Sequence, residues 1–489
     1  PGDHLAWFVL AAVDQFELAG FYAAYRADGH GRAAYDPAVV VALVLYSFST
    51  GVESSRKIEG HCRQDVAFRV ITGNVIPDRA TIARFLRRHE LALSDLFSQV
   101  LDLCARAGLV ASGVVAVDGM KVSGNANRDR NLDYDQIARE IIAGAIATDE
   151  IEDQSHGDGC GDELPEELST PQGRAEWLGR ELAREQDQDA DEGQAAQSDE
   201  VVGEADPQFD VDRIVDRVQG RKGWAREARR QLERERTRSA GPVPRSRPAR
   251  LRDAAGRLED ELVAEARGNR AYEAWRAQGR ARDGKRFGRG PNPWRAPEVP
   301  AGVINLSDPD TKLMKGMRNY VQGYHAQAIV NERQIVLAAE ITNDPGDFSH
   351  LRPMIDSMLG ELDRAGVQDR PEIVVADAGY WNEEHINDVI ADRHMQVLIP
   401  PDSGKRHGPR PGWDGGLYTW MRHALDSDTG RDFYRRRRET IEPLFGHTKH
   451  NRKFTRFPRR GRLSVRTDWR LLMATHNLTK LHRHQLATG

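Results

Sequence analysis

Two apolar, β-branched runs end in an aspartate: Val114-Val115-Ala116-Val117-Asp118-Gly119, and Ile373-Val374-Val375-Ala376-Asp377-Ala378-Gly379-Tyr380. In α/β sheets functional groups gather at the carboxyl ends of strands, above all where neighbouring connections diverge. Two such carboxylates on adjacent strands would lie close enough to share cations. Hard carboxylate oxygens suit Mg²⁺ or Mn²⁺, ions that also bind phosphates. Each aspartate alone reads more simply as a turn or cap residue, since Asp-Gly is a turn dipeptide and Asn382 caps a following helix. The pair together favours a site. A third candidate lies in Phe433-Tyr434-Arg435-Arg436-Arg437-Arg438-Glu439-Thr440-Ile441-Glu442-Pro443-Leu444-Phe445-Gly446-His447-Thr448-Lys449. As a helix, this segment puts Ile441, Leu444, Phe445 and Thr448 on one face and Glu442 with Lys449, two turns apart, on a neighbouring one. A carboxylate in so basic a setting stays ionised and ready for a cation. The plainer alternatives are a solvated or phosphate-binding arginine strip, and for Glu442 an acid near a helix terminus.

The elements that must position these residues follow from periodicity. Residues 1 to about 110 read as helices. Asp78 is a candidate N-cap for a helix with Ile82, Phe85, Leu86 and His89 on one side and Arg79, Arg84, Arg87 and Arg88 around the rest. That pattern fits a DNA recognition helix and a core helix with a charged outer side about equally. The run at 113–119 predicts a buried strand with a turn after it. Further on, strands are expected at 320–330 and 334–342, joined by Asn331-Glu332-Arg333, then a helix at 349–365, a strand at 372–377, a helix from 382 and a strand at 395–399. A polar Gly/Pro-rich loop at 401–416 precedes helices at about 440–449 and 467–484. The alternation predicts a mixed α/β sheet covered on both faces, its first strand separated from the others by a long insertion.

That insertion, residues 125–296, stands out by charge. Residues 151–210 hold 19 acidic and 3 basic residues, a net of −16, while 211–295 hold 24 basic and 12 acidic, a net of +12. The acidic block has too little apolar surface to fold unaided; the basic block contains helical segments at 211–238 and 251–278. A solvated insertion, part helical hairpin and part disordered, is the expectation, favoured over an independent binding domain. The implied division is a helical domain at 1–110, a first strand of the sheet at 111–124, the insertion at 125–296, and the rest of the sheet domain at 297–489. The net charge of −5 over 489 residues excludes a uniformly basic coat protein but not a basic face. Three scattered cysteines speak against a disulfide framework or a thiolate zinc site, and His447 and His450 lack partners at zinc-ligand spacing. No apolar run approaches the roughly 20 residues of a membrane span. A soluble protein of a reducing compartment is expected.

Taken together, Val-Asp-Gly, Ala-Asp-Ala-Gly-Tyr and the Tyr…Arg…Glu-Pro-Leu-Phe-Gly…Lys segment resemble the DDE transposases of bacterial insertion sequences. Asp308-Pro309-Asp310, Met314-Lys315, Gln322-Gly323-Tyr324-His325-Ala326-Gln327, Trp469 and Thr475-His476-Asn477-Leu478 add to the likeness. The resemblance spans nearly everything outside 125–296. It implies an RNase H-like fold and a metal-binding catalytic triad of Asp118, Asp377 and Glu442. It also implies two Mg²⁺ ions, or Mn²⁺, and cleavage of double-stranded DNA at element ends followed by joining to target DNA. Lys449, Tyr434 and either Arg437 or Arg438 match the C-terminal signature: four residues separate Arg437 from Glu442 where the family has three, while Arg438 has the wrong gap to Tyr434. Phosphate contacts are expected from Lys449, these arginines, Arg79, Arg84, Arg87, and the tract Arg452, Lys453, Arg456, Arg459, Arg460 and Arg462. The resemblance further implies a cytoplasmic, nucleoid-associated protein that forms a homodimer when two ends are synapsed. The competing readings are a metal-dependent nuclease that does not join, and an inactive DNA-binding descendant.

Overall fold

The computed structural model describes residues 2–25, 34–110, 113–156, 168, 170–180, 220–239, 241–280, 284, 286–290, 292–316, 319–402 and 413–488. They form two compact units, Pro1–Asn125 with Thr311–Gly489, and Ala126–Asp310. The first unit begins with helices Leu5–Val13, Ala19–Tyr22, Pro37–Ser49, Ser55–Gln64, Val66–Ile71, Arg79–Arg88 and Glu90–Arg106. Pro37–Ser49 shows why they do not stand apart. It is apolar on all sides and buried from Val40 to Phe48, as a helix enclosed by others must be. It packs on the long C-terminal helix Arg462–Thr488, as does Glu90–Arg106. The N-terminal helices therefore share one continuous core with the sheet rather than forming a separate domain at 1–110.

The sheet consists of β1 (Val114–Ser123), β4 (Lys312–Lys315), β5 (Tyr320–Asn331), β6 (Val336–Thr342), β7 (Ile373–Val375) and β8 (Gln396–Leu398); two short strands of the second unit are β2 (Asn131–Asp133) and β3 (Val303–Asn305). Its order is β4-β5-β1-β7-β8, with β6 also on β5. β1 runs antiparallel to β5 and parallel to β7, which is parallel to β8. Val114–Val117 and Ile373–Val375 are buried without alternation, the mark of strands covered on both faces. One expectation fails here. Asp118-Gly119 is not a turn: β1 continues to Ser123, with Asp118 opposite Ala328 and Gly119 opposite Gln327. Turn dipeptides report local preference, and ladder pairing with a twelve-residue partner overrides it. The sequence reading also missed β4 and the helix Gly416–Asp426, and the helix expected at 440–449 starts twelve residues earlier, at Asp428.

The closing motif of the chain fastens the sheet. Trp469 Nε1 donates to the Gln327 carbonyl at 2.9 Å, so it is a packing residue of the core. Asn477 receives the Val336 N–H at its Oδ1 and donates Nδ2 to the Val336 carbonyl, both at 2.8 Å. Among the described residues β6 pairs with β5 alone, so Asn477 satisfies backbone groups on its open edge. Asn477→Ala is expected to lower the unfolding free energy by about 2 kcal/mol in urea titration, the cost of leaving buried backbone groups unpaired.

The second unit carries its own small core of Leu132, Tyr134, Ile137, Ala138, Leu178, Leu251, Ala254, Ala255, Leu258, Ile304 and Leu306. Helices Arg221–Arg238 and Arg247–Ala277 form the expected hairpin, close enough that a Cβ on Gly268 would meet the Trp224 carbonyl oxygen at 2.9 Å. Trp224 and Tyr272 are buried in it. β2 and β3 pair at its base and extend the unit to residue 310, past the boundary expected at 296. The insertion is thus a folded unit where described. Most of the acidic block, 157–167 and 181–210, lies outside the described residues, as do 211–219 and the loop at 403–412.

Candidate active site

The parallel register fixes the first relationship. Val114, Val115 and Ala116 lie beside Ile373, Val374 and Val375; two residues further on, Asp118, still within β1, comes abreast of Asp377, just past the end of β7. Asp377 begins a 3₁₀ turn and its Oδ1 accepts the Gly379 N–H at 2.8 Å. Asp118 Oδ1 accepts the Gly119 N–H at 2.7 Å, and its Oδ2 meets Arg437 Nη1 at 3.0 Å.

A third carboxylate joins them that the sequence reading did not single out. Asp347, in the loop after β6, sets its Oδ2 3.0 Å from the point where a Cβ on Gly379 would stand; Asp377 Oδ1 is 2.9 Å from that same point. Glycine at 379 leaves room for the two oxygens to approach. Burial pushes the Asp118 carboxyl up to about 6, helped by Asp377 and Asp347 and opposed by Arg437 and the Gly119 N–H. Burial likewise raises Asp347, and holds the Tyr380 hydroxyl well above the ordinary range with Asp347, Asp118 and Asp377 all adding to the effect. Beneath the acids lies a buried polar cradle. The Tyr380 hydroxyl donates to Gln327 Oε1, and Gln327 Nε2 donates to Asp347 Oδ1 at 3.1 Å. His325 Nδ1 is 3.2 Å from the Asp344 carbonyl and its Nε2 3.3 Å from Asp347 Oδ1. A Cβ at Gly119 would fall 2.4 Å from His325 Nε2 and 2.6 Å from Gln327 Nε2, so Asp-Gly in β1 makes way for this cradle.

The helix Asp428–Gly446 packs against β1, β5 and β7. Pro443 lies inside it and has no N–H for the Glu439 carbonyl. Gln334, from the β5–β6 turn, supplies that bond with its Nε2 at 3.0 Å, so the helix runs on unbroken. Its two faces divide the signature. Tyr434 and Arg437 face inward, half-buried, with Ile441 and Leu444 buried below them; Arg437 stands over the Tyr434 ring at 5.9 Å. Arg438 and Glu442 are exposed on this helix, and Lys449 is exposed in the π-helical turn His447–Asn451 that follows it. Arg437 is therefore the arginine that reaches Asp118. The structure brings Asp118, Asp377, Tyr434 and Arg437 together, with Glu442 exposed on the same helix.

The expected phosphate contacts fare unequally. Asp78 caps Arg79–Arg88 through the Ala80 and Thr81 N–H groups, Ile82, Phe85 and Leu86 are buried, and Arg79, Arg84 and Arg87 are exposed. Lys449 and Lys453 are exposed too. Arg452 needs correcting: it is 5% exposed, its Nη1 donating to the Leu472 carbonyl and Thr475 Oγ1 at 2.8 and 2.9 Å, and burial pulls its guanidinium down to about 10. Arg459 is likewise committed inside, to Glu90 at 3.0 Å and to buried Asp468 at 2.7 Å, and Arg462 is buried. A run of arginines in sequence shows charge but not the acids that fold against it. In the second unit Arg221, Arg234, Arg236, Arg247 and Arg257 are paired with carboxylates in the same way.

Among the described residues no three His, Cys, Asp or Glu side chains already close on one point as a metal cage, and no helix is long and apolar enough to cross a membrane. The donor chemistry nonetheless suits a hard divalent cation: Asp377 and Asp347 lie near enough to Asp118 to raise its carboxyl, and one oxygen each of Asp347 and Asp377 takes no hydrogen bond from a described residue.

Two family models match the chain, a transposase domain (DUF772) over residues 1–88 and a transposase DDE domain over residues 408–482. The first holds the Arg79–Arg88 helix and the second the Tyr434–Lys449 signature; Asp118 and Asp377 lie between them. No curated protein and no solved structure matches. The class these domains define is a transposase, which implies DNA as partner. More particularly, the two matches support an insertion-sequence transposase of the DDE kind, a family that generally uses divalent metal ions.

Proposed function

We propose that this transposase cleaves DNA at the ends of its element and joins the freed 3′-hydroxyl to target DNA, on an RNase H-like sheet with Asp118, Asp377 and Glu442 as its catalytic carboxylates. The observation that carries the reading is the parallel register that sets Asp118 and Asp377 side by side where β7 ends. Asp118 and Asp377, with Glu442 from the flanking helix, would hold two Mg²⁺ or Mn²⁺ ions. Such ions, when bound, activate the attacking oxygen and stabilise the departing one. In the first reaction water attacks a phosphodiester at the element end and a 3′-hydroxyl leaves; in the second that hydroxyl attacks a target phosphodiester and displaces a target 3′-oxygen. Arg437 holds Asp118 in place through its Nη1 and balances part of the carboxylate charge. Exposed Lys449, Arg438 and Lys453 would contact the phosphate backbone and position it without proton chemistry. Synapsis of two ends calls for two copies of the chain.

The test is to incubate the protein with Mg²⁺, end-sequence DNA and a target plasmid and to look for covalently joined products. Joined products support transposition; cleavage alone favours a nuclease, and metal-independent binding without cleavage an inactive descendant. Removing Arg79, Arg84 and Arg87 together is expected to flatten the salt dependence of DNA binding, the log–log slope falling by about 0.9 for each phosphate that is no longer neutralised. An unchanged slope would assign that exposed face no DNA role.

A further inference from the structure

We propose that Asp347 is a further carboxylate of the divalent-cation site, offering its Oδ2 to a cation shared with Asp377 while its Oδ1 is held by Gln327. The inference rests on the metal-dependent reading above and adds to it a residue outside the three acids of that reading.

Two aspartates share the loop after β6, and they behave differently. A surface aspartate after a strand ordinarily bonds its own loop, and here Asp344 does so: its Oδ1 accepts the Gly346 N–H at 3.3 Å, its Oδ2 the Ser349 hydroxyl at 3.2 Å. The Asp347 carboxylate takes no part in that loop. It is turned instead toward β5, where Gln327 donates to Oδ1. His325 and Gln327 are two residues apart on β5 and so project from the same face. If His325 Nδ1–H donates to the Asp344 carbonyl, its Nε2 is an acceptor. The two hydrogens of Gln327 Nε2 are then shared between Asp347 Oδ1 and His325 Nε2, and Gln327 Oε1 takes the Tyr380 hydroxyl. Every polar atom of this buried relay is used, and its outcome is one fixed carboxylate with one oxygen left over.

That oxygen points where a cation ligand is wanted. Asp347 Oδ2 and Asp377 Oδ1 flank a single point beside Gly379, and the backbone there belongs to the same Asp-Ala-Gly-Tyr segment that supplies Tyr380. Two anions brought together in a largely buried site cost free energy that His325 and Lys121 offset only in part, and a bridging cation would offset the rest. A carboxylate anchored through one oxygen and free at the other is how outer contacts orient a metal ligand. The cradle residues Gly119, His325, Gln327, Gly379 and Tyr380, drawn from three separate stretches of the chain, thereby acquire a common purpose: they place Asp347.

The experiment is isothermal titration of Mn²⁺ into the full chain without DNA, comparing the unaltered protein with Asp118→Asn, Asp377→Asn and Asp347→Asn. Asp347→Asn keeps the shape of the side chain and the acceptor for Gln327. It is expected to weaken Mn²⁺ binding about tenfold or more, with the cation-free melting temperature unchanged or raised. Wild-type affinity in Asp347→Asn, with binding lost in the other two variants, would overturn this inference and leave the reading of Asp118 and Asp377 standing. An unaltered protein that binds no Mn²⁺, or three variants that all bind as it does, would overturn both. Should Asp347→Asn fail to fold, the unaltered protein still decides. Fe²⁺ with peroxide, which cuts backbone near the bound iron, is expected to cleave within 343–348 as well as near 118 and 377; cuts at the latter two alone refute the role of Asp347.

Discussion

Replacing Asp118 by asparagine is expected to reduce cation-dependent cleavage and joining about a thousandfold or more, while leaving the protein at pH 8 as stable as before or more so. The second half follows from the burial of this carboxyl. Its folded value of about 6 lies above the ordinary 3.8. Between about pH 4 and pH 6 the folded protein therefore keeps a proton that the unfolded chain has released, and stability falls as pH rises through that window. Above it, the ionised and largely buried carboxylate costs roughly 3 kcal/mol, the equivalent of the shift. Asparagine carries no such charge and its oxygen still accepts from Arg437. The variant should therefore match the unaltered protein below about pH 4 and exceed it above pH 6, as read from thermal melts across the range. Activity of the unaltered protein should decline as pH drops through about 6, because the carboxylate is the form that holds a cation. A residue kept for folding would behave in the opposite way, its loss destabilising most where it is charged. If Asp118→Asn still joins strands, or is destabilised equally at pH 4 and pH 8, Asp118 belongs to the scaffold and not to the chemistry.

What could be read from the sequence was whatever depends on local pattern. Asp118 and Asp377 were recognisable because a buried parallel strand is written as an unbroken β-branched run, and a polar residue at its end has few places to go. The capped helix of Asp78 and the turn between β5 and β6 are local as well. Asp347 was not legible, since Asn343-Asp344-Pro345-Gly346-Asp347 reads as a turn with two interchangeable acids. Only the fold distinguishes them, giving Asp344 to the loop and Asp347 to His325 and Gln327 some twenty residues away. The arginines failed for the same reason. Arg437 and Arg438 are neighbours in the chain, yet a hundred degrees of helical rotation sends one to Asp118 and the other to solvent. Arg452 looked like part of a basic strip because the Leu472 carbonyl and the Thr475 hydroxyl that hold it lie twenty and more residues onward. The separation of the N-terminal helices into their own domain was likewise a reading from composition, and a shared core contradicts it.

The core that unites those helices with the sheet holds a fully buried ion pair, and cutting it should produce the largest loss of stability. Arg470 and Glu361 are 2% and 0% exposed at their side chains and pair at 2.8 Å. Arg470 Nε also donates to the Ser94 carbonyl at 3.0 Å, its guanidinium lies 4.8 Å over the Phe97 ring, and the Ser98 hydroxyl bonds Glu361 at 2.5 Å. Three helices, Glu90–Arg106, Leu351–Arg364 and Arg462–Thr488, meet at this pair. Arg470→Ala leaves Glu361 with Ser98 and the more exposed Arg364, too little to solvate a buried charge, and is expected to cost about 3–5 kcal/mol. Against a total of about 5–15 kcal/mol that is enough to unfold a marginal protein. Glu340, 3.6 Å from the same Arg470 Nη1, is spared, because Arg466 holds it at 2.6 and 2.7 Å. The cost comes from the widowed charge more than from the missing attraction, so Glu361→Leu with Arg470→Met should recover most of it, by burying two apolar side chains where the ions had been. Urea unfolding of the single and double variants decides the matter. A single variant within about 1 kcal/mol of the unaltered protein would mean that water reaches Glu361 and that the ion pair is not dry; a double variant as weak as the single would mean that the three helices are aligned by the hydrogen bonds to Ser94 and Ser98 and not by the exclusion of charge.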